Sequence, residues 1–128
     1  MSAVTVTVPA RADFVHVLRT VVAAVAARLD LPYDALDDLR IVVDEASSAL
    51  LGIRSSAQTT LTVQLTPREE ELELLVCTDA AGASWPGPEV ERSLAWKVLG
   101  ALTDEARFES RPDGPAVRVS KRFAERAS

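Results

Sequence analysis

Two acids and one glycine are the residues of this chain whose types and settings point to chemistry. Glu45 lies in the run Asp37-Asp38-Leu39-Arg40-Ile41-Val42-Val43-Asp44-Glu45-Ala46-Ser47-Ser48-Ala49-Leu50-Leu51. There Leu36, Leu39, Val43, Ala46, Leu50 and Ile53 recur at steps of three and four, the mark of an apolar helical stripe. Glu45 stands at the edge of that stripe, so its carboxylate faces either bulk water or a crevice in which it can act as a base. Asp79 closes a strand-like run and opens Ala80-Ala81-Gly82-Ala83-Ser84-Trp85-Pro86-Gly87-Pro88, whose glycines and prolines mark irregular backbone. An acid at a strand end beside a glycine loop suits nucleotide reading; starting a turn is the plainer role for Asp79.

Other chemistries are poorly supplied. The chain has one cysteine, Cys77, and one histidine, His16, which excludes an internal disulfide, a cysteine zinc site and a histidine-based metal cluster. Cys77 lies in an apolar run and reads as a small buried hydrophobe. Neither Gly-x-x-x-x-Gly-Lys-Ser/Thr, Gly-x-Gly-x-x-Gly, His-Glu-x-x-His nor an aspartate-rich calcium loop occurs, so no metal ligands are assigned. A net charge of −5 argues against nucleic acid or an anionic membrane as the direct partner and favours a protein surface. With 128 residues, 48% of them hydrophobic and 26% charged, the expectation is a single domain over residues 1–128. No apolar run reaches the roughly 20 residues that span a bilayer, and the alternating start is unlike a signal peptide, so a cytoplasmic protein is expected.

The elements that must carry these residues follow from periodicity. Val4, Val6 and Val8 alternate with threonines up to Pro9, predicting a first strand. Asp13 is placed to cap a helix whose stripe is Phe14, Val17, Leu18, Val21, Val22, Val25 and Leu29, with His16, Arg19 and Arg28 on the outer face. Leu31-Pro32 breaks it, and Asp34, Asp37 and Asp38 favour the start of the Glu45 helix, which ends near Gly52. Runs at 60–65 and 71–77 predict an antiparallel hairpin around Pro67-Arg68-Glu69-Glu70. A third helix over 89–102, with Leu94, Val98, Leu99 and Leu102 inward, precedes two strands, 105–110 and 115–122, joined at Pro112-Asp113-Gly114. Strands and helices do not alternate one to one. The fold class is therefore α/β: a two-layer sandwich, its sheet mixed but mostly antiparallel, with the helices on one face.

Asp38-Leu39-Arg40-Ile41-Val42-Val43-Asp44-Glu45-Ala46 and Val98-Leu99-Gly100-Ala101-Leu102-Thr103-Asp104-Glu105-Ala106-Arg107-Phe108 carry a family likeness. The chain resembles the RsbW-type anti-sigma factors of the GHKL, or Bergerat-fold, ATPase superfamily, over nearly its whole length. The first segment is similar to their N-box helix. The resemblance implies a cytoplasmic homodimer that sequesters an alternative sigma factor and lets it go by partner exchange with an anti-anti-sigma (STAS-domain) protein. It puts Glu45 at the general-base position, Asp79 and Gly82 in the adenine-and-glycine box, and Arg19 at a first-helix arginine that contacts both partners.

The family's magnesium-holding asparagine falls on Ala49, its first glycine box on Asp79-Ala80-Ala81-Gly82-Ala83, and its second on Ser93-Leu94-Ala95-Trp96. Ala49 has no oxygen for a metal, and Cβ atoms stand where bare backbone would meet phosphates. The expectation is a binding protein with weak or no Mg-ATP binding, Glu45 being a relic base and no cofactor required. The alternative is an active ATP-dependent serine/threonine kinase acting on the STAS-domain partner. Trp85 and Trp96 suit core filling, and of the two Trp85, in the Gly/Pro loop, is the better candidate for an exposed hot spot.

Overall fold

A computed structural model describes residues 2–53, 60–80 and 85–123. Alternating valines at the start form β1 (Val4–Pro9), with Val8 inward. A 3-10 turn, Ala12–Phe14, leads into α1 (Val15–Arg28), which buries Leu18, Val22 and Ala26. Asp13 does not cap that helix: it sits inside the 3-10 turn and pairs with Arg11 at 2.9 Å. The N-cap of α1 is Phe14, with no side-chain hydrogen bond. The helix stops at Asp30, whose φ of 59° takes the chain out of the helical path, and Pro32 then precedes α2 (Tyr33–Leu51).

On the inner face of α2, Leu39, Val43, Ala46 and Leu50 of the expected stripe are inaccessible together with Val42 and Ser47, while Leu36 and, beyond the helix, Ile53 are partly buried. This helix and α1 pack against one face of the sheet, meeting Leu61, Val63 and Leu65 of β2 (Thr60–Pro67) and Leu72, Leu74 and Val76 of β3 (Glu71–Thr78) in a single core. Strands β4 (Glu105–Arg111) and β5 (Gly114–Arg122) complete a five-stranded sheet in the order β1-β2-β3-β5-β4. All four pairings are antiparallel, and β5 enters beside β3 while β4 lies at the edge. Two layers result, helices over one sheet face, as the residue pattern predicts.

The stretch expected to be one helix over 89–102 is two. A single turn, α3 (Pro88–Glu91), is separated from α4 (Leu94–Leu102) by Arg92-Ser93. Ser93 adopts an extended conformation and its Oγ accepts from Trp96 N at 3.1 Å, a standard N-cap that starts a new helix. The break reorients Leu94, expected inward but 75% exposed, while Leu99 is buried as expected. Trp85 takes the core-filling reading and not the exposed one. It is buried, its Nε1 donates to Ala116 O at 3.0 Å, and its ring meets Phe108 edge-on. Trp96 stacks on the other side of the cluster, 4.0 Å from Phe108. An indole with its N–H satisfied is an anchor for the loop after β3, not a surface hot spot.

The helix-free face of the sheet carries a charge network. Arg118 on β5 bonds Glu109 on β4 at 2.6 Å and Glu73 on β3 at 3.1 Å, with Arg68 and Arg107 at the flanks. Hydrogen bonds from Arg118 pull the Glu109 carboxyl below its ordinary value against a smaller effect of burial. For Glu73, burial pushes upward, but hydrogen bonds from Arg68 and Arg118 and their charges outweigh it, leaving that carboxyl lowered too.

Candidate functional site

Glu45, Asp79 and Arg19 sit at a helix rim or a strand end, and each finds a different environment. Glu45 is half-buried on α2, beside the inner face, as its place on the stripe edge predicts. It makes no hydrogen bond or ion pair with the described residues. Ala49 follows one turn later on the same side of the helix and is also half-buried. On that side, Asp38 accepts from Lys121 Nζ at 3.1 Å, and the same ammonium donates to Leu102 O at 2.9 Å. Lys121 thus ties the first half of α2 to the C-terminal carbonyls of α4, where a cation is favoured. Asp38 and Lys121 are separated by 83 positions, and no local pattern in the sequence announces the pair.

Asp79 is fixed to the neighbouring strand. Its Oδ1 accepts from Thr60 N at 2.9 Å, while Thr78 Oγ1 donates to Thr60 O at 2.7 Å. The two bonds tie off the ends of β2 and β3. Gly114, with φ 137°, fits against this corner because a Cβ would collide with Thr78 O. Asp79 is exposed and borders an open hollow of about 290 Å³ on the helix-free sheet face, together with Thr62, Gln64, Cys77 and Arg111. The turn-anchoring role of the aspartate is therefore present. Gly82, its proposed companion, lies outside the described residues. Cys77 is half-buried on that open face instead of within the core; burial raises its thiol pKa, which keeps the sulfur protonated and unreactive.

A magnesium–triphosphate group does not fit the donor set these residues offer. Ala49 brings no oxygen to the side of α2 where Glu45 lies. At the start of α4 the Trp96 amide is already taken by Ser93 Oγ, so that N–H does not point to an incoming anion.

Arg19 has the most definite geometry. From the middle of α1 its Nη1 donates to both carboxylate oxygens of Asp44 on α2, at 3.0 and 2.9 Å. The side chains remain 38% and 40% exposed. They border an open groove of about 410 Å³ between the two helices, where Val15 and Leu51 give apolar surface and His16 and Ser48 polar edges. Arg19 is thus on the outer side of α1 as expected, but held to α2 and not free in solvent. Asp44 escaped the sequence reading because it lies 25 residues from its partner, beyond any helical spacing.

No family model matches the chain. It is 37% identical over 108 residues, 82% of its length, to the anti-sigma-F factor RsbW of two Mycobacterium tuberculosis strains, CDC 1551 / Oshkosh and H37Rv. It is 33% identical over 70 residues, 55% of its length, to the serine-protein kinase RsbW of Halalkalibacterium halodurans. The five-stranded sheet with its helical layer is a GHKL-like two-layer sandwich. Within that class the chain is similar to the RsbW proteins. It spans 60% of the length of the mycobacterial relatives and 43% of the third. No helix among the described residues is long and apolar enough to cross a membrane.

Proposed function

We propose that this chain is an anti-sigma factor: it sequesters an alternative sigma factor as a cytoplasmic homodimer and gives it up by partner exchange with a STAS-domain anti-anti-sigma protein. The observation that carries the reading is the 37% identity with anti-sigma-F factor RsbW over 82% of the chain. Arg19, displayed at the α1–α2 groove, is the partner-contact residue. Regulation by exchange needs only surfaces with differing affinities, so the loss of a metal ligand at Ala49 does not disable it. The kinase named for the Halalkalibacterium relative requires a magnesium–triphosphate site, and the self-capped start of α4 counts against one here.

Affinity capture on the purified chain from its native cytoplasm, with and without Mg-ATP, tests this directly. A sigma factor recovered equally under both conditions is the expected result. Calorimetry showing micromolar Mg-ATP binding, with phosphate passed to a STAS-domain protein, would replace it by the kinase. Failure to recover any sigma factor would remove both. Light scattering after size exclusion checks the dimer.

A further inference from the structure

We infer that Asp44 is the positioning residue of the partner-binding site: it holds the Arg19 guanidinium at the groove between α1 and α2 with one edge open for a carboxylate of the partner. The inference rests on the reading of Arg19 as the partner contact. Both carboxylate oxygens of Asp44 bond the same nitrogen, Nη1, at 3.0 and 2.9 Å. Among the described residues nothing engages Nε or Nη2. A guanidinium is planar, and its Nε–H and one Nη2–H lie parallel along one edge, a fork that matches the two oxygens of a carboxylate. Asp44 therefore occupies one corner of the group and leaves the best recognition edge unspent.

Two further features fit this role. An unpaired arginine samples many rotamers and loses that freedom on binding, whereas one already tied down loses less. The groove beside it offers Val15 and Leu51 as apolar surface for the residues flanking that carboxylate. Asp44 adjoins Glu45, so α2 would keep a binding role on its α1 side whatever has happened to the side bearing Glu45 and Ala49.

The test uses the full chain and each sigma factor of the host, produced separately, in titrations with the wild type, R19A, D44A and R19A/D44A. The sigma factor that binds the wild type should bind R19A at least about 30-fold more weakly. D44A should lose about two- to tenfold, the range expected from freeing one long side chain. In the R19A background the same D44A change should lose nothing more. A merely structural role for Asp44 would weaken binding equally in both backgrounds. Melting curves check folding, and the isosteric D44N replaces D44A should the latter unfold. Unchanged or tighter binding by D44A, or a loss that persists without Arg19, overturns the inference and leaves the reading of Arg19 intact. Unchanged binding by R19A overturns that reading and this inference with it, and a host in which no sigma factor binds the wild type removes the functional proposal beneath both.

Discussion

Glu45 and Ala49 decide what the second helix can still do. The glutamate is half-buried yet without a hydrogen-bond or ion-pair partner among the described residues, so truncating it removes little that the fold uses. Glu45→Ala should change unfolding free energy by less than about 0.5 kcal/mol in urea titrations, and should leave sigma-factor affinity within about twofold. A large loss of binding without unfolding would reveal a contact on this side of α2. The converse substitution is equally informative. Ala49→Asn returns an amide oxygen to the helix, but Ser93 still occupies the Trp96 amide at the start of α4. Calorimetry should therefore detect no gain in Mg-ATP binding from Ala49→Asn alone; micromolar binding would show that one ligand was the whole deficit.

At the scale of elements, the break between α3 and α4 shows what a sequence conveys and what it does not. Val98, Leu99 and Leu102 recur at helical spacing, and the helix they announce exists. Ser93 lies within that pattern as one polar residue among many, and only its extended backbone makes its hydroxyl a cap. Ser93→Ala should cost about 1 kcal/mol of stability in urea unfolding, the usual loss for such a cap, whereas a continuous helix over 89–102 would be unharmed or stabilised. The same distinction runs through the whole fold. Strand and helix order, the α2 stripe and the Gly114 turn are local patterns, and they were legible. Leu94 went the other way, and only the structure chooses between the core and surface readings of Trp85, because exposure depends on what packs against a residue from distant parts of the chain. Of the candidate site, the positions of Glu45 and Asp79 were readable; Asp44 and Lys121 were not, since their partners lie 25 and 83 residues away. Family likeness pointed to Arg19, but only the packing of α1 on α2 gives that arginine a fixed setting.

Across the whole molecule the helices close one sheet face, and the other is joined by charge: Arg118 links β4, β5 and β3 through Glu109 and Glu73. Both carboxyl groups are lowered from the ordinary value of 4.5, which makes their contribution pH-dependent with a definite sign. A carboxyl whose pKa is lower folded than unfolded binds fewer protons in the native state around that pKa, so its stabilisation is fully present above about pH 4.5. It disappears as pH falls through the lowered folded values. Arg118, raised above an already high value, stays charged throughout this range and adds no slope of its own. These side chains are partly exposed, 20 to 24%, so the network is worth about 1 kcal/mol at neutral pH and not several. The double variant Glu73→Gln/Glu109→Gln should accordingly unfold at lower urea than the wild type at pH 7, with a narrower gap at pH 3. A gap of the same size at both pH values would mean that shape and hydrogen bonding at β3, β5 and β4, and not ionised carboxylates, join the open face of the sheet.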